Sequence, residues 1–295
     1  MFALAMALPA ICKADAIPCQ DLERRYDLVR ATAVAIEIAS QSFVAADNGC
    51  DALLGRLLDA GATPLARDRE GDTALARAAR AGHASTVQFL LTRGADAEQR
   101  NLQGATALFV ATQANRTRIV QILAEAGAKT DAPGRSGVSP LSAAAFNGNL
   151  RLLEMFLARG ADPSGRDATG KSAIVYAAAR GFLPIVRRLL DADVDPNQRY
   201  ANELTLLMWA AGHSLDAPES DGLQIVELLL QKGAPVNAVD DRGRSALMNA
   251  AELGHAVIVR RLLAAGADPA LRDKDGKTAA DLADGEPVRL ALAGG

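Results

Sequence analysis

Apolar positions along this chain fall into two alternating helical patterns, one built from alanine and one from leucine and valine. Between Asp68 and Arg100, Ala74, Ala78 and Ala79 recur at helical spacing. After Gly82 and His83, a second set, Val87, Leu90 and Leu91, lies on one helical face. Thr73 stands where a hydroxyl caps a helix start, and Gly82 and Gly94 stand where a left-handed residue ends one. The Asp-, Gly- and Arg-rich stretch from Ala95 to Gly104 predicts a turn-forming hairpin. The predicted order is turn, helix, turn, helix. Alanine lets the first helix lie close to its neighbours, and the leucines of the second fill the space behind.

This pattern recurs every 33 residues. Gly71 is followed in phase by Gly104, Gly137 and Gly170, and Thr73 by Thr106, Ser139, Ser172 and Thr205. A length of 295 residues ordinarily suggests two domains, but units that pack only on their neighbours predict one elongated domain instead. The pattern resembles the ankyrin repeat, a 33-residue unit combining a β-turn with two antiparallel helices. The resemblance covers about residues 40 to 285. It departs from the family in one respect: only Ser139-Pro140-Leu141 keeps the Pro after the capping residue, and no unit keeps the His that follows. The resemblance implies an all-α solenoid of stacked repeats with short hairpin connections, whose concave side binds protein partners.

The units predicted are a degenerate start within 17–67, covered by an N-terminal helix, and six repeats at 68–100, 101–133, 134–166, 167–199, 200–239 and 240–272. A closing half-repeat follows at 273–295 that does not complete a second Leu-rich helix.

Composition narrows the function. Lys and Arg total 32 against 35 for Asp and Glu, a net charge of -3, which supplies no field for nucleic acid or an anionic membrane. After the N-terminus no stretch approaches the ~20 apolar residues of a membrane span. Residues 1–12 are apolar and uncharged, and Ala14-Asp15-Ala16 places small residues where a signal peptidase reads, although Lys13 lies on the wrong side of the apolar run. This predicts an export signal ending near Ile17 and a periplasmic or secreted protein; the competing reading is an apolar terminus on a cytoplasmic one. Removing 1–16 leaves Cys19 and Cys50 as an even pair able to bridge in an oxidising compartment, a link that would stabilise by about 3 to 4 kcal/mol. Alternatively, Cys50 takes the place of His83 and His255 as an ordinary buried small residue.

Catalytic and metal-binding patterns are not found. His83 and His255 both follow the inter-helix glycine, a structural place, and His213 has no Cys or second His near it in sequence. No phosphate loop or nucleophile elbow is present, and no cofactor or metal is expected. The repeats leave no segment for a catalytic domain. The expected function is therefore a non-catalytic protein-interaction module or scaffold; the alternatives are an accessory subunit of a periplasmic enzyme and a cytosolic adaptor. Arg67, Arg100, Arg166, Arg199 and Arg272 share one register position, which reads either as a ladder for an acidic partner or as pairing with neighbouring Asp, the favoured reading.

Departures from the pattern concentrate between residues 193 and 221. Asp193 and Glu203 replace glycines, at about 1 kcal/mol each if the backbone stays left-handed, and Tyr200 replaces the turn Asp. Extra residues within Ser214 to Ser220 shift the register from 33 to 40. Rules that fail together mark a functional or strained site. The candidate protein-binding residues are Arg80, Phe146, Arg180, Tyr200, Trp209 and Glu252, with Phe146 and Arg180 at exposed first-helix positions in the family register. Trp209 has a second reading, as filler beneath the enlarged loop.

Overall fold

Seven helices precede Ala128 in the computed structural model, which describes residues 17–214 and 216–294. They are α1 (Cys19–Val29), α2 (Ala35–Asn48), α3 (Asp51–Asp59), α4 (Ala74–Ala81), α5 (Ala84–Thr92), α6 (Ala107–Gln113) and α7 (Thr117–Glu125). From Lys129 onward come α8 (Pro140–Phe146), α9 (Leu150–Ala158), α10 (Ala173–Ala179), α11 (Leu183–Leu190), α12 (Leu206–Ala211), α13 (Glu219–Gln231), α14 (Ala246–Glu252), α15 (Ala256–Ala264), α16 (Ala279–Leu282) and α17 (Glu286–Ala293). The export signal expected at 1–16 lies outside the described residues, as does Leu215 in the enlarged loop.

The fold is all-α, and among the described residues only isolated bridges, Arg199 with Thr205 and Val239 with Ser245, resemble strand pairing. Instead of one continuous domain, the contacts divide the chain into two compact units between Ala128 and Lys129. A repeat array has only nearest-neighbour contacts, so no central core opposes such a division.

Capping hydroxyls start most of the first helices as expected, Ser172 ahead of α10 being the exception with no capping hydrogen bond. Thr73 accepts from the Ala76 amide at 3.2 Å, Ser139 from Ser142 at 3.1 Å and Thr205 from Met208 at 3.3 Å. The alanine faces are buried: Ala78, Ala79, Ala144, Ala145, Ala177 and Ala210 are sealed from solvent, as are Val87, Leu90, Leu153, Val186 and Leu229 of the second helices.

Most hairpins are organised by one side chain. Oδ1 of Asp68 accepts the amides of Glu70 and Asp72 at 3.0 and 2.8 Å, and Asn101, Asp167, Asp240 and Asp273 do the same for the amides two and four residues on. This is an Asx turn that holds the hairpin without backbone ladders. Where the acceptor is missing, at Gly134 and Tyr200, the tip tightens into a 3-10 turn instead. There Ser136 and Asn202 take left-handed φ of 57° and 60°. Adjacent tips are tied by amide-to-carbonyl bonds, Leu102 to Glu70 in the first unit, and Ala168 to Ser136, Asp241 to Asn202 and Lys274 to Arg242 in the second.

Both ends differ from the repeats. A disulfide joins Cys19 at the start of α1 to Cys50 ahead of α3, with Cα atoms 5.3 Å apart. At the C-terminus, the expected half-repeat is corrected: α17 completes a helix pair, burying Val288 and Ala291 and packing on α15. Pro287 lies in the first turn of this helix, where its missing amide is tolerated, so it starts a helix rather than stopping one.

Candidate functional site

The hairpin carboxylate does a second job. In two repeats its free oxygen, Oδ2, meets the residue nine positions on, in the first helix: Arg77 donates to Asp68 at 2.7 Å, and the Tyr176 hydroxyl donates to Asp167. Arg77 also bonds Asp47, and these two carboxylates hold its guanidinium above its ordinary pKa. Burial works against the Asp167 charge, but donation from Thr169, Tyr176 and the Lys171 amide keeps this carboxyl below the usual value. Burial, then Asp167, pushes the Tyr176 phenol up. Where the hairpin acid is absent, the helix partner has changed with it, Gly134 being matched by Ala143 and Tyr200 by Trp209.

Around Asp167 a contiguous chain of contacts crosses three repeats of the second unit. Arg180 lies with its guanidinium carbon 4.9 Å from the centre of the Phe146 ring and 5.9 Å from that of Phe182. Phe146 meets Tyr176 edge-on, with ring centres 6.1 Å apart. Tyr176 reaches Asp167, Asp167 accepts from Thr169, and the Lys171 ammonium donates to the Thr169 hydroxyl at 2.9 Å. Lys171 then sits 5.8 Å over the Trp209 ring. Phe146, Arg180 and Lys171 are half-exposed.

Two of the expected surface anchors are corrected. Tyr200 is 3% exposed and Trp209 7% exposed, so neither ring is open to a partner. Tyr200 is covered by Arg166, at 5.1 Å, and its burial raises the phenol pKa. Trp209 is roofed by Lys171 and buried, in keeping with its second reading. Close to the enlarged loop, His213 is fully buried and packs so closely on Gly222 that a Cβ there would lie 2.3 Å from Nδ1. Sequence reasoning left His213 isolated, yet its ring stacks on His255 at 4.3 Å. The two stand 42 residues apart, a separation that only the folded loop brings together. Burial lowers both histidine pKa values, with Glu219 and Asp221 pulling His213 the other way and Glu219 doing so for His255.

The enlarged loop itself is partly helix, because α13 begins at Glu219 and runs 13 residues against 9 in α5. Glu219 Oε1 accepts the Val257 and Ile258 amides at 2.6 and 3.1 Å, capping α15 of the next repeat. Asp193 and Glu203 keep left-handed φ of 61° and 60°, the strained condition set by the lost glycines.

Arg80 and Glu252 are half-exposed but engaged, and they form one pairing with the charges exchanged: Arg80 with Asp72, and Glu252 with Arg244. The arginine column is corrected as well. Arg67, Arg166 and Arg272, the three followed by Asp, form no ion pair with it among the described residues. Arg100 donates to the Gly104 carbonyl at 2.8 Å, Arg272 to Gly276 at 2.7 Å and Arg199 to Glu203 at 2.9 Å, while Arg67 and Arg166 reach the carbonyls of Arg100 and Arg199. These guanidiniums satisfy hairpin carbonyls that a turn leaves unpaired.

"Ankyrin repeats (3 copies)" describes the family pattern matched by residues 42–133 and 141–220, and further ankyrin patterns match 202–241 and 229–283. The chain belongs to the ankyrin-repeat family. A 65-residue stretch is 46% identical to an ankyrin repeat-containing protein of Treponema pallidum (strain Nichols), covering 22% of each chain. The match thus spans about a fifth of that relative's length. Ankyrin repeats are generally a non-enzymatic interaction domain, and they indicate a protein-protein interaction module. Among the described residues no helix is long and apolar enough to cross a membrane, and no group of three or more His, Cys, Asp or Glu could hold a metal ion.

Proposed function

We propose that this ankyrin-repeat chain is a non-catalytic scaffold that holds a partner protein on the first-helix and hairpin side of repeats 134–239. The observation that carries this is the Arg180 guanidinium lying half-exposed over Phe146 and Phe182, a flat cationic and aromatic surface. Arg and aromatic residues concentrate the energy of protein interfaces. Arg80 and Glu252, held in ion pairs, contribute less than Phe146 and Arg180. Photo-crosslinkers placed at Phe146 and Arg180 should trap one protein, and F146A and R180A should abolish its capture while leaving thermal stability near that of the parent. Undiminished capture by both variants would remove this face from the reading.

We further propose that the protein works outside the cytoplasm. The Cys19–Cys50 disulfide supports this, since such bonds persist in oxidising compartments. Mass spectrometry of the native protein should find a chain beginning near Ile17 with no free thiol at Cys19 or Cys50. A reduced pair in a chain that retains residues 1–16 would favour the cytosolic adaptor.

A further inference from the structure

Among the arginines around the first helices, most come with a carboxylate supplied by the chain itself. Arg77 has Asp47 and Asp68, Arg80 has Asp72, Arg242 has Asp240, and Arg244 has Glu252 and Asp273. Arg180 and Lys171 differ. Neither takes part in any ion pair among the described residues, and each has one face set against an aromatic ring, Phe146 for Arg180 and Trp209 for Lys171. The acidic residues of the enlarged loop, of which Asp221 lies beside Gly181, are committed elsewhere. Asp216 accepts from Ser214, Asp221 from Ser220, and Glu219 caps α15. Arg166, the third cation on an aromatic ring among the described residues of the second unit, is occupied by the Arg199 carbonyl. Asp167, the one carboxylate inside the cluster, is buried and its oxygens are taken by Thr169, Tyr176 and two backbone amides.

Resting on the interaction reading above, we propose that the partner segment held at this face is acidic, an extended stretch of protein whose Asp or Glu carboxylates seat on Arg180 and Lys171. The rings beneath the two cations strip water from one side of each, which strengthens attraction to an anion on the open side. Arg180 presents a planar fork suited to two carboxylate oxygens, and Lys171 presents a point charge. Between them, Phe146 offers apolar surface for an uncharged side chain of the same segment. A chain that supplies carboxylates to its other first-helix arginines and withholds them from these two leaves their complement to the partner.

The test selects a displayed library of random peptides on the immobilised full-length chain, then measures the synthetic winners by titration. Trp209 is the only tryptophan in the sequence and lies under Lys171, so its emission locates the binding. The expected result is enrichment of peptides with paired Asp or Glu. Their affinity should fall about fivefold for each of K171Q and R180Q, fall further with added salt, and be lost when the peptide carboxylates become amides. The charge-reversed double variant K171E/R180E should instead select Lys- and Arg-rich peptides. Since either glutamine variant could disturb packing, its thermal unfolding is compared with the parent. Were the enriched peptides neutral, with binding lost in F146A but unchanged in K171Q and R180Q, the acidic partner would be overturned and the interaction face kept. A library yielding no binder at all would overturn both.

Discussion

Two neighbouring repeats, 167–199 and 200–239, share a register and differ in how they hold their hairpins. In the first, Asp167 gathers the amides of Thr169 and Lys171 with one oxygen and receives the Tyr176 hydroxyl with the other. In the second, Tyr200 has no carboxylate to gather the hairpin amides, the tip closes as a 3-10 turn with Asn202 and Glu203 left-handed, and Trp209 stands where the first has Tyr176. One repeat is organised by a buried, satisfied charge, and the other by apolar burial under Arg166 and Lys171. The lesson is that in repeat 167–199 the hairpin residue and the helix residue nine positions later act as one unit, and in repeat 200–239 both have changed together.

Breaking the first arrangement should have the largest effect. D167A removes an acceptor of two amides and one phenol, and equilibrium unfolding should show a loss of about 3 kcal/mol, while D167N, which keeps the turn acceptor as Asn101 does, should lose about 1 kcal/mol. Next in size is the packing that replaces the regular inter-helix turn in the second repeat. G222A drives a Cβ into His213 and should cost about 2 kcal/mol, with H213A/G222A recovering most of it. If H213A does not rescue G222A, the histidine is not what fixes that glycine.

Smaller effects sharpen the comparison further. D193G and E203G relieve left-handed residues that carry a Cβ, and each should raise stability by about 1 kcal/mol in the same unfolding measurement. The smallest is a slope with pH. His213 and His255 have pKa values lowered in the fold from 6.5, so the unfolded chain binds more protons than the folded one just below that value. Their contribution is complete above about pH 6.5 and is lost as pH falls through the lowered values. The carboxyl of Asp167, lowered from 3.8, adds its own loss only in stronger acid. Melting temperatures recorded down to pH 5 should decline for the parent and flatten for H213Q/H255Q.

Much of this fold was legible in the sequence because its signals are local. The caps Thr73, Ser139 and Thr205, the turn glycines and the Ala and Leu faces each act within a few residues, and each lies where its spacing predicts. The misreadings concern partners that only a folded backbone supplies. The arginine column seemed matched to the adjacent Asp, but that Asp turns inward to its own hairpin amides and leaves the guanidinium to the carbonyls. Tyr200 and Trp209 suggest surface anchors, Trp209 with a second reading as buried filler, because composition does not separate an exposed aromatic from one roofed by a cation. The stack of His213 on His255 has no counterpart in the period, since the insertion that creates it also breaks the register. Helix α17 did leave a signal, Glu286-Pro287 after Gly285, which marks a helix start rather than a terminus.

The carboxylate of Glu219 has a consequence for how the array comes apart. It belongs to one repeat yet finishes the amide end of a helix in the next, at Val257 and Ile258. Treated as a row of coupled switches, a repeat protein unzips most readily where the coupling between neighbours is weakest. This charged cap adds to the coupling between repeats 200–239 and 240–272, so the irregular repeat and its regular successor should open and close together, as one cooperative step in native-state hydrogen exchange.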